Sequence, residues 1–322
     1  MGEITLLVVA NPAAAFLARL ALLPDTTRIV TGNQLEIFHN AAPEAGALLN
    51  CFAPVETVRA VWNMAPRLRW IHSLSAGIEN TLFPELVASP VPLTNSRGVF
   101  SRPLAEFALA AALFFAKDLR RMVGSQAAAR WDPFDVEELH GKVLGIVAYG
   151  SIGQEAARLA RAFGMRVTAV RRRPDLSAGD PLLAGVYGPD QLRDMLAQSD
   201  FVLVAAPLTA ATRALIGEAE LRSMKPLAVL INIGRGPVVV EEALVRALQQ
   251  GWIRGAALDV FDEEPLPPGH PFYALENVLL SPHCADHTPG WVEAAMDFFL
   301  ENFQRFQRGE PLLNVVDKQS GY

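Results

Sequence analysis

The sequence predicts an α/β protein of two domains, the second of them built on a doubly wound parallel sheet. The chain has 322 residues, more than one hydrophobic core usually organises, so two domains are expected. Short apolar runs alternate with helical stretches along most of the chain, which is the pattern of strands joined by helices. One strand-to-helix junction, within residues 142–162, contains a glycine-rich turn of the kind that binds dinucleotides.

Composition and charge exclude several other classes of protein. Hydrophobic residues make up 51% of the chain and charged residues 19%, as in globular proteins rather than disordered or fibrous ones. A formal charge of -6 gives no overall attraction for phosphate backbones or anionic lipid, so we expect no nucleic-acid or membrane partner. With two cysteines, Cys51 and Cys284, we expect neither a disulfide framework nor a metal site, and a reducing, cytoplasmic setting fits best.

The start of the chain does not predict a targeting segment. Glu3 stands where a signal peptide has basic residues, and the apolar run from Ile4 is typical of a first strand. The longest apolar stretch elsewhere, residues 104–116, is too short to span a bilayer.

The first domain is predicted over residues 1–97, completed by residues 290–322. Its expected strands are ITLLVVA, RIVTG and LRWIHSL. A proline-containing stretch, residues 83–99, is expected to link this domain to a long Ala-rich helix over residues 102–131. Ser101 is the expected cap of that helix, with Pro103 in its first turn.

The second domain is predicted over residues 98–289. Its expected buried strands are KVLGIVAYG, RVTAVR, FVLVAAP, AVLINIG, GAALDVF and NVLLSPH. Helical stretches separate them, so the sheet should be parallel and doubly wound. A last helix, WVEAAMDFFLENFQRF, would carry the chain out of this domain.

The glycine-rich turn follows the first of these strands. Its residues are Gly150, Ser151, Ile152 and Gly153, and a helix is expected directly after them. A dinucleotide pyrophosphate needs close backbone approach and free N–H groups at a helix N-terminus, which this arrangement provides. A tight turn without a ligand gives the same pattern, and Ala148 replaces the first glycine of the usual fingerprint.

Three arginines stand at the end of the next expected strand. At this position a dinucleotide site usually has an acidic residue that binds the adenosine ribose. They are Arg171, Arg172 and Arg173, and the nearest carboxylate, Asp175, lies beyond Pro174. Guanidinium groups at this point suit a ribose 2′-phosphate, so we expect NADP to be preferred and NAD to be the second candidate. The alternative is a solvated basic patch at a loop tip.

Three later segments, each at the end of an expected strand, carry the residue types that reduction of a 2-keto acid requires. Arg235 would hold the substrate carboxylate and carbonyl, and His283 would give a proton to the carbonyl oxygen. Glu264 would orient that imidazole and raise its pKa, and Asp259 would accept from the nicotinamide carboxamide. Taken singly, residues of these types more often have a structural role, and it is their order behind a nucleotide fold that indicates function.

These segments resemble the D-isomer-specific 2-hydroxyacid dehydrogenase family, in which N-x-x-R-G, D-V-F-x-x-E-P and S-P-H supply the catalytic Arg, Glu and His. Here those positions are Arg235, Glu264 and His283. The similarity also covers LSAGIEN, GVFSRPLAEFAL, PLTAATRALI and NVVDKQSGY. The resemblance implies two Rossmann-like domains, the substrate domain being the smaller and flavodoxin-like. It also implies a homodimer formed through the nucleotide domain, with the Ala-rich helix at the interface.

The resemblance implies further contacts beyond the catalytic group. The substrate carboxylate would bind backbone amides at Ser75, Ala76 and Gly77. Cofactor contacts would extend to Pro207, Thr212 and Ile233.

The arginine run is similar to that of the NADP-using glyoxylate and hydroxypyruvate reductases of the family, so a small 2-keto acid is the expected substrate. A different function is also open, because corepressors of the same fold bind NAD(H) to control assembly. Ala148 and the segment from Cys284 to His287 depart from the family pattern.

Overall fold

The structure, a computed structural model, describes residues 4–321. It divides into two compact units, one ending at Phe100 and resuming at Pro289, the other comprising Ser101–Thr288. The sequence predicted that the first domain would end at residue 97, three residues before Phe100, and resume at residue 290, one residue after Pro289. Phe100 packs edge-on against Trp291 at 5.9 Å, which keeps the end of the linking stretch with the first unit. Residues 1–3 and 322, also assigned to the first domain, lie outside the described residues.

The first unit contains a five-stranded parallel sheet. Its strands are β1 (Ile4–Val9), β2 (Thr27–Gly32), β3 (Ala45–Asn50), β4 (Trp70–Ser73) and β5 (Leu93–Asn95), its first helices are α1 (Val55–Met64) and α2 (Pro84–Ala88), and 3-10 turns span Ala15–Leu22, Leu35–Phe38 and Ala42–Glu44. The strand order β2-β1-β3-β4-β5, with parallel pairing throughout, is the flavodoxin order. The prediction of a flavodoxin-like first domain is confirmed.

Two strands of this sheet were not predicted. β3 has the sequence AGALLN, which lacks the β-branched residues that mark a strand, but it is buried along its whole length beside β1 and β4. β5 and α2 lie within the stretch expected to be a linker. That expectation was wrong because prolines at a strand entrance or a first helical turn do not prevent either element.

The second unit contains a seven-stranded parallel sheet. Its elements are α3 (Ser101–Ala116), α4 (Leu119–Ala127), β6 (Val143–Val147), α5 (Ser151–Ala162), β7 (Arg166–Val170), β8 (Gly185–Tyr187), α6 (Leu192–Gln198), β9 (Phe201–Val204), α7 (Glu218–Ser223), β10 (Val229–Asn232), α8 (Glu241–Gln249), β11 (Gly255–Leu258) and β12 (Val278–Leu280), with 3-10 turns at Pro174–Ser177, Pro189–Gln191, Gly236–Val238 and Pro271–Ala274. The order β8-β7-β6-β9-β10-β11-β12 is the Rossmann order with a strand added at one edge. The predicted doubly wound parallel sheet is confirmed, and β8 is the strand that the sequence did not reveal.

The long Ala-rich segment forms two helices instead of one. Asp118 has a left-handed backbone (φ 47°) between α3 and α4, and its side chain caps α4 by accepting from the N–H of Arg121. Ser101 is the first residue of α3, and its buried hydroxyl makes no hydrogen bond within residues 4–321, so the predicted side-chain cap was wrong.

The last helix, α9 (Trp291–Arg308), belongs to the first unit, as the resemblance implied. Its apolar face packs on β4, where Phe299 stacks on Trp70 with ring centroids 5.5 Å apart. The helix ends at Gly309, which adopts the left-handed conformation (φ 68°) that terminates helices.

Candidate active site

The predicted site residues of the second unit all follow strands at the carboxyl edge of its sheet. Strands β6, β7, β9, β10, β11 and β12 lead into the loops that carry them. In open α/β sheets this edge is where ligands bind, because helix N-termini and loop side chains meet there. The fold therefore brings together segments that lie more than a hundred residues apart in the sequence.

His283 and Glu264 form a hydrogen-bonded pair. His283 Nδ1 lies 2.6 Å from Glu264 Oε2, while the other carboxylate oxygen of Glu264 accepts from the N–H of Phe261 at 2.9 Å. The carboxylate is thus fixed by its own loop as well as by the imidazole. Because Nδ1 is engaged, Nε2 is the nitrogen available to exchange a proton with a ligand.

Asp259 holds the loop that carries His283. Its buried Oδ1 accepts from the hydroxyl of Ser281 (2.5 Å) and from the N–H groups of Cys284 (3.0 Å) and Ala285 (3.1 Å). His283 itself has a left-handed backbone (φ 52°), a conformation that costs about 1–3 kcal/mol in a non-glycine residue and requires support from its surroundings. Asp259 supplies that support, so it orients the imidazole whatever else it contacts.

Arg235 follows β10 and is positioned by the buried Asn232. Asn232 Nδ2 donates to the carbonyl of Arg235 (3.2 Å), and its Oδ1 accepts from the N–H of Gly234 (3.1 Å). The guanidinium donates to the carbonyl of Gly234 at 2.7 Å. At Gly236 a Cβ atom would lie 2.0 Å from the backbone of Phe261, so glycine lets the Arg235 loop approach the Glu264 loop closely.

The charges around His283 and Glu264 shift the pKa values of these two residues. The hydrogen bond that His283 donates to Glu264 raises the pKa of His283, against opposing effects of burial and of the Arg235 charge. Burial would raise the pKa of Glu264, but hydrogen bonds from His283 and the Phe261 N–H, together with the charges of His283 and Arg235, hold it below its ordinary value. The site therefore favours an ionised carboxylate beside a protonated imidazole, which is an arrangement that can donate a proton.

The glycine-rich turn joins β6 to α5. Ala148 takes up the left-handed conformation (φ 73°) in which the usual fingerprint has glycine, so the departure is accommodated at the cost of local strain. At Gly153 a Cβ atom would lie 3.0 Å from the carbonyl of Ala148, which explains glycine there as a helix-to-strand contact. A Cβ at Gly150 would meet nothing within 4 Å.

The N-terminus of α5 can bind an anion. Gly150 is its N-cap and provides no side chain, and the first N–H to enter the helix ladder is that of Gln154. The N–H groups of Ser151, Ile152 and Gly153 have no acceptor in the described part of the chain. Exposed amides at the positive end of a helix suit a pyrophosphate.

The arginine run lies in the loop after β7. Arg171 is half-buried and donates to the hydroxyl of Ser177, while Arg172 and Arg173 are exposed. Tyr149, next to the glycine turn, donates to Asp180 Oδ2 at 3.0 Å and so ties this loop to the turn. Burial and this bond raise the pKa of Tyr149. The sequence did not single out this tyrosine, because its partner lies in a loop without a recognisable pattern.

Pro207 and Thr212 lie in the loop after β9, and Ile233 follows β10. Thr212 Oγ1 bonds the carbonyl of Pro207 at 2.5 Å and accepts from the N–H of Thr209 at 2.8 Å, which folds the loop back on itself. Ile233 is buried and donates its N–H to the carbonyl of Val204 at 3.1 Å. All three lie at the carboxyl edge of the sheet beside the glycine turn of β6.

Ser75, Ala76 and Gly77 belong to the first unit, in the loop after β4. They are half-buried, and within residues 4–321 their N–H groups have no acceptor. Consecutive exposed amides of this kind form an anion-binding concavity.

The departure from the family pattern after His283, the segment from Cys284 to His287, leaves the pair with Glu264 intact. His287 Nε2 lies 3.9 Å from Asp286 Oδ1, and Cys284 is an exposed free thiol. The described residues include no group of three or more His, Cys, Asp or Glu side chains placed to hold a metal ion. Among the helices of residues 4–321, none has the length and apolar character needed to cross a membrane.

Comparison with known proteins finds relatives over most of the chain. The family model for the NAD binding domain of D-isomer specific 2-hydroxyacid dehydrogenases matches residues 109–285. The glyoxylate reductase of Thermococcus gammatolerans is 38% identical over 271 residues, which are 80% of this chain and 79% of that protein. The glyoxylate reductase of Pyrococcus furiosus is also 38% identical, over 268 residues that are 80% of this chain and 79% of that protein.

Solved structures are similar over nearly the full length. A D-isomer specific 2-hydroxyacid dehydrogenase family protein from Aeromonas salmonicida superposes with a TM-score of 0.83 at 29% identity, covering 98% of this chain and 100% of that one. An NADPH-dependent glyoxylate/hydroxypyruvate reductase from Sinorhizobium meliloti, in complex with NADP and sulfate, gives a TM-score of 0.86 at 25% identity, covering 99% and 100%.

Proposed function

Because the chain belongs to the D-isomer-specific 2-hydroxyacid dehydrogenases, we propose that it reduces glyoxylate, hydroxypyruvate or a similarly small 2-keto acid with NADPH. Members of this family are oxidoreductases that act on the CH–OH group of 2-hydroxyacids with a nicotinamide cofactor. The observation that carries the proposal is the His283–Glu264 pair, which lies at the carboxyl edge of the same sheet as the N–H groups of Ser151–Gly153 at the start of α5. The similarity to glyoxylate reductases and to a glyoxylate/hydroxypyruvate reductase favours a small substrate.

The proposed chemistry assigns one task to each catalytic residue. The nicotinamide, when bound, supplies the hydride to the carbonyl carbon. Protonated His283 gives its Nε2 proton to the carbonyl oxygen, where negative charge develops, and Glu264 stabilises the imidazolium. Arg235 places a positive charge beside the carbonyl and carboxylate oxygens. In the opposite direction the neutral imidazole takes the hydroxyl proton.

The carboxylate of the substrate is assigned to the amides of Ser75, Ala76 and Gly77. The pyrophosphate of the cofactor is assigned to the amides of Ser151–Gly153, where Gly150 leaves the approach open. Asp259 would accept from the nicotinamide carboxamide through Oδ2, since the three hydrogen bonds that its carboxylate accepts from Ser281, Cys284 and Ala285 all use Oδ1.

The pair with Glu264 predicts a specific pH dependence. Because Glu264 raises the pKa of His283, the Glu264→Gln variant should have a lower imidazole pKa. Reduction needs the protonated form, so its rate, which falls as pH rises through this pKa, should begin to fall at lower pH in the variant. Oxidation needs the neutral form, so its rise should also move to lower pH. Profiles of kcat/KM in both directions measure the shift, and unchanged profiles would contradict the role of Glu264.

The arginine run predicts the cofactor preference. Charge-assisted hydrogen bonds are worth about 1.5–3 kcal/mol each, so one good contact to the 2′-phosphate gives about tenfold or greater preference for NADPH. The Arg172→Ala/Arg173→Ala variant should raise the KM for NADPH by about this factor and leave that for NADH nearly unchanged. Arg166→Ala, at the opposite end of β7, is the matched control and should change neither value. Equal loss with both cofactors would contradict the assignment.

We also propose that the protein is a homodimer formed through the second unit. From α4 onward this unit exposes large apolar side chains, of which Trp131 is 97% exposed and Val123 65%. Five such side chains fall within the single segment 119–136, and a concentration of exposed apolar residues favours an interaction surface there. Sedimentation should give twice the mass of the chain, and Trp131→Arg should shift it toward one chain, while Leu227→Arg, on an exposed residue elsewhere in the unit, should not. A monomer at micromolar concentration would contradict the proposal.

The test of the proposed function is the rate of NADPH and NADH oxidation with glyoxylate, hydroxypyruvate, pyruvate and a bulkier aromatic 2-keto acid. We expect turnover with the small acids and a preference for NADPH. Tight NADPH binding without turnover of any acid would instead favour a regulatory, corepressor-like protein of the same fold.

A further inference from the structure

We propose that Asn95 is a positioning residue for the loop Ser75–Gly77, and that it aims the N–H of Gly77 at the substrate carboxylate. This inference rests on the function proposed above, which assigns the carboxylate to this loop. Asn95 is the last residue of β5, is 5% exposed and has no place in the catalytic group.

All three carbonyl oxygens of the loop accept hydrogen bonds from the ends of β4 and β5. Ser75 O accepts from the N–H of Ser96 (3.1 Å), Ala76 O from Asn95 Nδ2 (2.6 Å) and Gly77 O from Ser73 Oγ (3.4 Å). The bond from Asn95 is the shortest, and it is made by a buried side chain. The carbonyls are therefore fixed toward the body of the unit.

Fixing a carbonyl also fixes the N–H that follows it. In a planar trans peptide the C=O and the N–H point in opposite directions. Anchoring the Ala76 carbonyl on Asn95 thus turns the N–H of Gly77 away from the body of the unit, and anchoring the Ser75 carbonyl does the same for the N–H of Ala76. Neither amide has an acceptor among the described residues, so both are aimed outward for a ligand.

Asn95 is itself held in one orientation. Its Oδ1 accepts from the N–H of Arg97 (3.3 Å), which requires Nδ2 to face Ala76. Its main-chain carbonyl accepts from Asn314 Nδ2 (3.2 Å), which also donates to the carbonyl of Arg97 (2.7 Å).

The segment that contains Asn314 runs antiparallel beside β5. Val315 pairs with Thr94, and the N–H of Val316 donates to Leu93 O at 2.8 Å. Further along, Lys318 Nζ donates to the carbonyls of Leu86 (2.8 Å), Ser89 (2.6 Å) and Val91 (2.8 Å). The end of the chain therefore braces the strand from which Asn95 reaches the carboxylate loop.

The direct test is Asn95→Ala, with Asn95→Asp as its companion. Losing one hydrogen bond that orients a binding group should raise the KM for glyoxylate by about three- to tenfold. The KM for NADPH and the kcat should stay within about twofold, because ground-state and transition-state binding of the carboxylate weaken together. Asn95→Asp should be worse, since a carboxylate oxygen would then face the carbonyl of Ala76.

Two further variants separate positioning from stability. Val61→Ala creates a small cavity in α1 of the same unit, away from the loop, and should lower the melting temperature without changing the KM for glyoxylate. Asn314→Gly removes the brace while keeping a residue that accepts the left-handed backbone (φ 52°) at this position. Like Asn95→Ala, it should raise the KM for glyoxylate, but only by about twofold.

Titration with oxamate, a carboxylate analogue that accepts no hydride, distinguishes failure of this inference from failure of the proposed function. If the unaltered protein reduces 2-keto acids but Asn95→Ala keeps both the glyoxylate KM and the oxamate Kd, the inference alone is overturned. If the unaltered protein binds oxamate and reduces nothing, the proposed function fails, and a weaker oxamate Kd in Asn95→Ala still supports the inference. Absence of both turnover and oxamate binding overturns both.

Discussion

Replacing His283 by asparagine is expected to lower kcat by about 10²–10⁴-fold while the KM for NADPH stays nearly unchanged. The imidazole is the proposed proton donor, and its Nδ1 is engaged by Glu264, which leaves Nε2 to meet the substrate. Asparagine is the appropriate replacement because residue 283 has a left-handed backbone (φ 52°), which asparagine tolerates well. A loss of activity can then be attributed to the missing imidazole and not to refolding of the loop.

The control for this variant is His287→Asn. His287 lies on the same loop and is exposed, and its Nε2 lies 3.9 Å from Asp286 Oδ1. We expect it to retain most of the unaltered turnover with glyoxylate and NADPH. If His287→Asn loses as much kcat as His283→Asn, or if His283→Asn remains fully active, the proton donor has been assigned to the wrong residue.

The sequence was informative about the fold where local composition agreed with burial. Runs such as FVLV and VLIN are β-rich and fully buried, and they form β9 and β10 as predicted. β3 was missed because Ala, Gly and Leu carry little strand preference, and the neighbouring strands on both sides decide its conformation. The break between α3 and α4 was missed because an unusual backbone at Asp118 leaves no periodic signal.

The candidate site could be predicted to the level of residue types but not of their supports. Motif and strand position pointed to His283, Glu264 and Arg235 together, and the structure places His283 and Glu264 2.6 Å apart. The carboxylate of Asp259 was expected to contact the cofactor, and the structure shows in addition that its Oδ1 holds the His283 loop, a role that the sequence did not reveal. The hydrogen bond from Asn95 to Ala76 was not predicted, because the two residues are distant in the sequence and become neighbours only in the folded protein.

Replacing Arg235 by alanine is expected to lower kcat/KM by about 10²–10³-fold, comparable with removing one donor to an oxyanion. The residue is half-buried, and Asn232 and the close approach at Gly236 fix its backbone beside the Glu264 loop. The KM for the 2-keto acid should rise and kcat should fall, since the cation would contact the substrate before and during hydride transfer. Arg235→Lys should recover only part of the loss, because an ammonium keeps the charge without the planar fork of donors.

The pH profile tests whether the charge of Arg235 reaches His283. Arg235 lowers the pKa of His283 whereas Glu264 raises it, so the two substitutions should move the profile in opposite directions. In Arg235→Ala the imidazole should stay protonated to higher pH, and the alkaline fall in reduction rate should move upward. In Glu264→Gln it should move downward. Shifts of the same sign, or no shift in Arg235→Ala, would mean that this guanidinium acts on the substrate alone and has no influence on the proton donor.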